Sequence, residues 1–383
     1  MAITAAPVVD EIELARRTIR RADYVSCAQA FIDYKTPGSE SKENYSIIGP
    51  GVAQSAEQVV NLTEPHGFNV GAAAMPHGVT NSLHLHFTAE VFLNFAGDWQ
   101  LRWGADGTDG EYLCRAGEIV SMPTWIFRGF TNAGPDDGWL FTVLGFDDTG
   151  GIVWGPSVLQ EAARHGLYLT AGSQLVDTAA GEAIPGGTEL ITPMPDAEIA
   201  RLRRWTAEQM RARVAAPEDL AWSRRPFLCS ELPGGGAELA LVVGYGMTED
   251  RDQEPRIHNP HNFNLAWLRA GRGEGVLPHR HDGSQALIVY TGQWRIILNR
   301  GADQVITEVG PFDTVSIPAG AWRRFEQLSD EPGMLLVAND GDARVRLDWD
   351  REVRQQAREK GQAHDAAGYV APWSVVRTSV RDD

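Results

Sequence analysis

An all-β chain made of two similar halves is what this sequence predicts, and three observations predict it. His84-Leu85-His86 returns as His279-Arg280-His281, 195 residues later, with its surroundings in the same register. Each half holds short runs of β-branched and aromatic residues, punctuated by Gly, Pro, Asp and Asn. At 383 residues the chain suits two domains, each long enough to bury a full core.

The repeat does not drift. Gly78 pairs with Gly273, Gly97 with Gly292, Trp99 with Trp294, Pro123 with Pro318, Arg128 with Arg323 and Phe130 with Phe325, all at the same offset. Upstream, PHGFN (65–69) answers PHNFN (260–264), and IIGPG (47–51) answers VVGYG (242–246). Downstream, Trp154, Val158, Ala162 and Gly166 answer Trp349, Val353, Ala357 and Gly361. That four-residue recurrence closed by glycine predicts a helix with one packed face and a Gly stop.

The strand-type runs are FNVGAAAM, EVFLNFAG, WQLRWG, EIVSMP and GWLFTVLGF in the first half. FNLAWLRA, ALIVYTG, WRIILN, TVSIP and GMLLVAN follow in the second. Their short spacing predicts an antiparallel sandwich or barrel rather than a parallel βαβ sheet. ARLRRWTAEQMRARV (200–214) reads as one charged, amphipathic helix, and the Pro/Gly-rich stretch AIPGGTELITPMP (183–195) as a linker. The expected domains are therefore 1–180 and 181–383, with an extended segment after Gly361 that packs on the other domain.

Composition narrows the function. The mix of 43% hydrophobic and 22% charged residues is that of a soluble globular protein. A formal charge of -17, with no basic stripe, opposes nucleic acid and anionic lipid as partners. Cys27, Cys114 and Cys229 stand far apart, which argues against a disulfide framework or thiolate zinc site. The N-terminus lacks the order of a signal peptide, and no apolar run approaches the roughly 18 residues that span a bilayer. A cytoplasmic protein is expected.

In a strand, residues i and i+2 face the same side, so His84 and His86 point together, as do His279 and His281. Two imidazoles held this way form one edge of a first-row metal site, to which a carboxylate such as Glu90 adds a third ligand. In the second half Gln285 stands in that place and offers only a neutral amide oxygen. His66, His261, Asn69 and Asn264 are expected to order the turns before their strands.

Here the sequence resembles the cupin superfamily, whose first motif runs G-x5-H-x-H-x3-E-x6-G. Gly78, His84, His86, Glu90 and Gly97 fill it; Gly273, His279, His281, Gln285 and Gly292 answer in the second half. The second motif, G-x5-P-x-G-x2-H-x3-N, matches Gly117, Pro123 and Asn132, with Trp125 at its inner glycine and Arg128 at its histidine. In the second half Pro318 and Gly320 match, while Phe312, Arg323 and Gln327 depart from it. The resemblance implies a bicupin: two jelly-roll β-barrels in tandem with flanking helices, and an association into homo-oligomers. LPHRHDGSQALIVYTG, PAGAWRRF and PTWIFR are further similar to gentisate-type ring-cleaving dioxygenases, which hold Fe(II).

Arginine has no lone pair for a metal, so Arg128 and Arg323 are not ligands. What remains is a primary metal site of His84, His86 and Glu90, and a weaker second one of His279, His281 and Gln285. Arg128 is expected beside the vacant face as a catalytic clamp on a substrate anion or on oxygen charge, with Trp125, Trp99 and Arg323 as further substrate contacts. The expected function is an Fe(II)-dependent dioxygenase that takes O2 and a small anionic aromatic or enolic substrate. The alternatives are a non-oxidative isomerase, lyase or decarboxylase using Mn, Ni or Zn as Lewis acid, and a metal-free carboxylate- or sugar-binding bicupin. In that last case a buried Arg128–Glu90 pair fills the metal cavity.

Overall fold

The computed structural model describes residues 6–377. It forms two compact units, one of Tyr24–Glu218 and one that joins Met1–Asp23 to Asp219–Asp383. Each is a pair of β-sheets of seven and five strands. In the first unit the five-stranded sheet runs, in spatial order, Ile152–Trp154, Thr80–His86, Arg128–Asn132, Trp99–Trp103 and Gly110–Cys114. The second unit repeats that order with Asp348–Trp349, Gly275–Arg280, Arg323–Gln327, Trp294–Leu298 and Val305–Val309. Every neighbouring pair in these two sheets is antiparallel.

The pleat explains why these runs form strands. Along Trp99–Trp103, burial alternates so that Trp99, Leu101 and Trp103 turn inward while Gln100 and Arg102 stay partly exposed. Phe92, Phe130 and Leu140 close that core in the first unit; Trp294, Ile296, Phe325 and Leu335 do so in the second. Each such side chain contributes about 1.5–3 kcal/mol on burial. Helix Pro156–Arg164 buries Val158, Leu159 and Ala162, and Gly166 follows it at φ 77°. Helix Arg351–Glu359 buries Val353 and Ala357, and Gly361 follows at φ 80°. Both helices and both glycine stops are as the repeat predicts.

The left-handed backbone positions also repeat, even where glycine does not. Gly117 (φ 88°) is answered by Phe312 (φ 71°), and Gly320 (φ 76°) by Trp125 (φ 58°). A bulky residue at positive φ costs about 1–2 kcal/mol. The turn is therefore imposed by the barrel around it, not by the local residue.

Three features depart from the sequence reading. Residues 200–214 are not one helix: Asp196–Ile199 and Ala207–Arg211 are separate short helices. Thr206 starts the second with a capping box to Gln209, while the Trp205 carbonyl accepts the Trp103 indole N–H, so the chain is anchored to the barrel between them.

The units also do not divide at residue 180. Val214–Ala215 adds an edge strand to Ile119–Met122 of the first unit, and Thr18–Ile19 adds the corresponding edge to Thr314–Ile317 of the second. Each barrel is thus completed by the strand that precedes the other repeat, and two-residue edges carry no periodic signal. The segment after Gly361 forms a hairpin, Gln362–His364 with Val370–Pro372, and the short helix Trp373–Val376. His364 Nε2 meets the buried Glu249 of its own unit at 2.8 Å. No helix among the described residues is long and apolar enough to cross a membrane.

The N-terminal segment is pinned by Asn299, whose amide donates to the Val9 carbonyl (2.6 Å) and accepts from its N–H (3.0 Å). Asn299→Ala removes both bonds in a buried setting and is expected to lower unfolding free energy by about 1–3 kcal/mol, read as a shift in the urea midpoint at unchanged slope.

Candidate metal centre

The first barrel brings His84, His86 and Glu90 together although they come from two sheets. His84 and His86 end the strand Thr80–His86, while Glu90 opens Glu90–Ala96 in the facing sheet. All three are buried, and one ligand atom of each lies within 4.8 Å of the others. His84 Nδ1 donates to the Ser82 carbonyl at 2.7 Å, which fixes the tautomer and leaves Nε2 its lone pair. His86 Nε2 stands 3.6 Å from Glu90 Oε1, and its Nδ1 faces the Gly151 carbonyl at 3.5 Å. Burial, then the Arg128 charge, hold His84 well below the usual imidazole range, so it is neutral and fit to ligate.

Arg128 lies directly across from His84 in the antiparallel register. Its guanidinium does not face open space, as a substrate clamp must. Nη2 and Nε both donate to Glu90 Oε2, at 2.6 and 3.1 Å, and Nη1 lies 3.5 Å from the His84 carbonyl. Burial alone pushes Glu90 up to about 8 and pulls Arg128 well below its ordinary value. The two N–H bonds oppose both shifts, because each stabilises the charged form, and we assign an ionised pair. One carboxylate oxygen is held by Arg128, and the other, Oε1, remains turned toward His86. The two imidazoles and that oxygen make a donor set that fits a first-row divalent cation.

The second barrel has the same skeleton and a different outcome. Arg323 lies across from His279. Its Nη1 donates to His281 Nε2 at 2.8 Å and to Gln285 Oε1 at 3.2 Å; Nε and Nη2 bind the Ala321 and Pro318 carbonyls. Gln285 in turn donates to Asn339 Oδ1 (2.7 Å), and Asn339 to Asn264 Oδ1 (2.8 Å). The guanidinium thus stands where a cation would stand, and two of the three expected ligand atoms are already its acceptors. This corrects the expectation of a weaker second site at His279, His281 and Gln285. It likewise removes Arg323 from substrate contact, since it is fully buried with its N–H groups directed at protein acceptors. His279 is pushed down to about 3 by burial and then by Arg323, and its Nε2 is buried without a hydrogen bond.

Trp99 is a core residue: wholly buried, edge-on to Phe130, with its indole N–H on the Ala96 carbonyl. Trp125 is 48% exposed; its N–H bonds the His86 carbonyl (3.1 Å), and its ring meets Phe87 at 5.2 Å. It therefore sits at the end of the histidine strand. His66 and His261 order their turns, each with Nδ1 on the carbonyl two residues before it. Asn69 donates to the Phe146 carbonyl, and Asn264 to that of Gly341.

Sequence reasoning missed a buried trio beside the centre. Lys42 Nζ donates to Asp33 Oδ1 (2.6 Å) and Asn81 Oδ1 (2.7 Å), and Asp33 Oδ2 accepts the Ser82 N–H (3.1 Å). No motif or spacing marks these three residues. A cavity of about 50 Å³ is bordered by Lys42, Asn81 and Glu90 together with Ala72, Phe130 and Leu144.

Comparison with known proteins gives a fold, and a domain match in the second half. The family model "Cupin domain" matches residues 266–339. No curated protein sequence matches the chain. Among solved structures, the Lactobacillus farciminis oxalate decarboxylase in its formate complex aligns with TM-score 0.54 and 14% identity over 89% of this chain and 90% of that one. The Bacillus subtilis oxalate decarboxylase, a protein with Mn(II) centres, aligns with TM-score 0.50 and 10% identity over 89% and 78%. Vicilin from Capsicum annuum aligns with TM-score 0.52 and 10% identity over 96% and 97%. The likeness is one of architecture, and the chain is a two-domain protein of the cupin fold.

Proposed function

We propose that the first barrel is a divalent-metal centre for non-oxidative chemistry on a small carboxylate, of lyase or decarboxylase type. The observation that carries this reading is the set His84, His86 and Glu90 within 4.8 Å, with Arg128 holding only the far oxygen of the carboxylate. Iron and a ring-cleaving dioxygenase would use the same three ligands. Mn(II) and decarboxylation are favoured because two of the solved structures that share this architecture are oxalate decarboxylases, one of them with Mn(II) centres.

A divalent ion bound there supplies a Lewis acid that polarises a substrate oxygen and stabilises charge as it develops. The chain's own residues do the rest. Ser82 fixes His84 by its carbonyl, Arg128 fixes Glu90, and neither ligand has to reorganise when charge appears. Ala72, Phe130 and Leu144 form part of the apolar wall of the neighbouring cavity, and Lys42, Asn81 and Glu90 form part of its polar wall. With about 50 Å³ free, the cavity has room for roughly three or four waters, so only a small group enters it. Arg128 acts here as a positioning residue and not as a clamp on substrate.

Two outcomes follow. Mn(II)-loaded protein, offered small mono- and dicarboxylates under strict anaerobiosis, releases carbon dioxide or a cleaved product; turnover that consumes O2 stoichiometrically contradicts this reading. In calorimetric titrations, Glu90→Gln weakens Mn(II) binding by about 10- to 100-fold. Arg128→Met tightens it, because a neighbouring cation is gone, while lowering the stability of the metal-free protein by about 3–5 kcal/mol. Tighter binding by Glu90→Gln, or weaker binding by Arg128→Met, contradicts the assigned roles.

A further inference from the structure

We propose that Lys42 anchors the second anionic group of a dianionic ligand in the first barrel, from the wall of the cavity that Glu90 also borders. The inference rests on the metal reading above for the ligand's first carboxylate alone.

Lys42 immediately precedes the strand Glu43–Ile48, and its side chain is 3% exposed. An ammonium has three N–H donors. Two bind Asp33 and Asn81, and the group lies 5.1 Å from the Phe31 ring centre, leaving one donor without a hydrogen-bond acceptor among the described residues. Phe31, Lys42, Asn81 and Glu90 all border the same cavity. Glu43 and Tyr45 border it as well, but the Tyr45 hydroxyl donates to Glu43 at 2.6 Å, and Tyr45 packs on Trp139. Lys42 is thus the cation with hydrogen-bonding capacity to spare on that wall.

A buried ion pair is weak evidence for stability, since well-packed apolar residues often do as well. The barrel nonetheless keeps two of them side by side, Lys42–Asp33 and Arg128–Glu90. The two pairs together carry no net charge, as two cations meet two anions. A divalent ion raises it to two positive charges among buried side chains. A dianion restores neutrality, and a monoanion leaves one charge uncompensated. The spare donor of Lys42 and the free volume beside it are where the second charge fits.

The test is calorimetric titration of malonate and of formate into wild-type, Lys42→Met and Lys42→Arg protein, each with and without Mn(II). A Lys42→Met/Asp33→Asn variant is added so that no buried carboxylate is left alone. Lys42→Met and the double variant are expected to bind malonate about 10- to 100-fold more weakly, as for loss of one charge-assisted hydrogen bond. In the charge-balanced double variant formate affinity and Mn(II) uptake stay unchanged, and Lys42→Arg recovers part of the malonate affinity. Equal loss for both acids, no loss for malonate, or wild-type protein that binds neither acid overturns the proposal. Wild-type protein that takes up no Mn(II) refutes the metal reading separately, and the malonate comparison without metal still decides the role of Lys42.

Discussion

A guanidinium buried inside a barrel must be answered by acceptors, and the way each barrel answers it decides what that barrel can do. Arg128 and Arg323 occupy the same place in the repeat, each directly across from the first histidine of its pair. In the first barrel the answer is a full carboxylate charge, from Glu90. In the second it is the His281 lone pair, the Gln285 amide oxygen and two backbone carbonyls. One residue, Glu90 against Gln285, separates the two outcomes.

Carboxylate and amide differ here in more than charge. Glu90 has two acceptor oxygens, so Arg128 takes one and leaves the other beside His86. Gln285 has a single oxygen, and its nitrogen is committed to Asn339. With no spare acceptor, Arg323 reaches for the histidine itself. The first barrel retains a donor set for a metal, whereas the second has a cation of its own built into the chain.

The fold was largely legible in the sequence because the repeat and the punctuated strand-type runs are statements about packing that a single chain carries. Phe68–Met75, Glu90–Ala96 and Gly333–Asp340 lie where the strand-type runs and their Gly, Pro, Asp and Asn punctuation put them. The edge strands Thr18–Ile19 and Val214–Ala215 were not legible, since two residues cannot show a period and their partner is set by tertiary placement. The helix read over 200–214 failed for a related reason: its periodicity is real, but Trp205 is tied to Trp103 and breaks the run. In the site, the grouping of His84, His86 and Glu90 was readable from spacing. What Arg128 does with its donors was not, because a motif gives a residue's position and not its acceptor. Lys42 and Asp33 carry no motif, and only the folded barrel brings them beside Asn81.

The central claim is that the two barrels differ in metal capacity because their arginines are answered differently. Crystals grown with Mn(II) and measured for anomalous scattering at the manganese edge test this most directly. One peak per chain is predicted, among His84, His86 and Glu90, with none between His279 and His281, where Arg323 stands. A peak in both barrels, or in the second alone, contradicts the account.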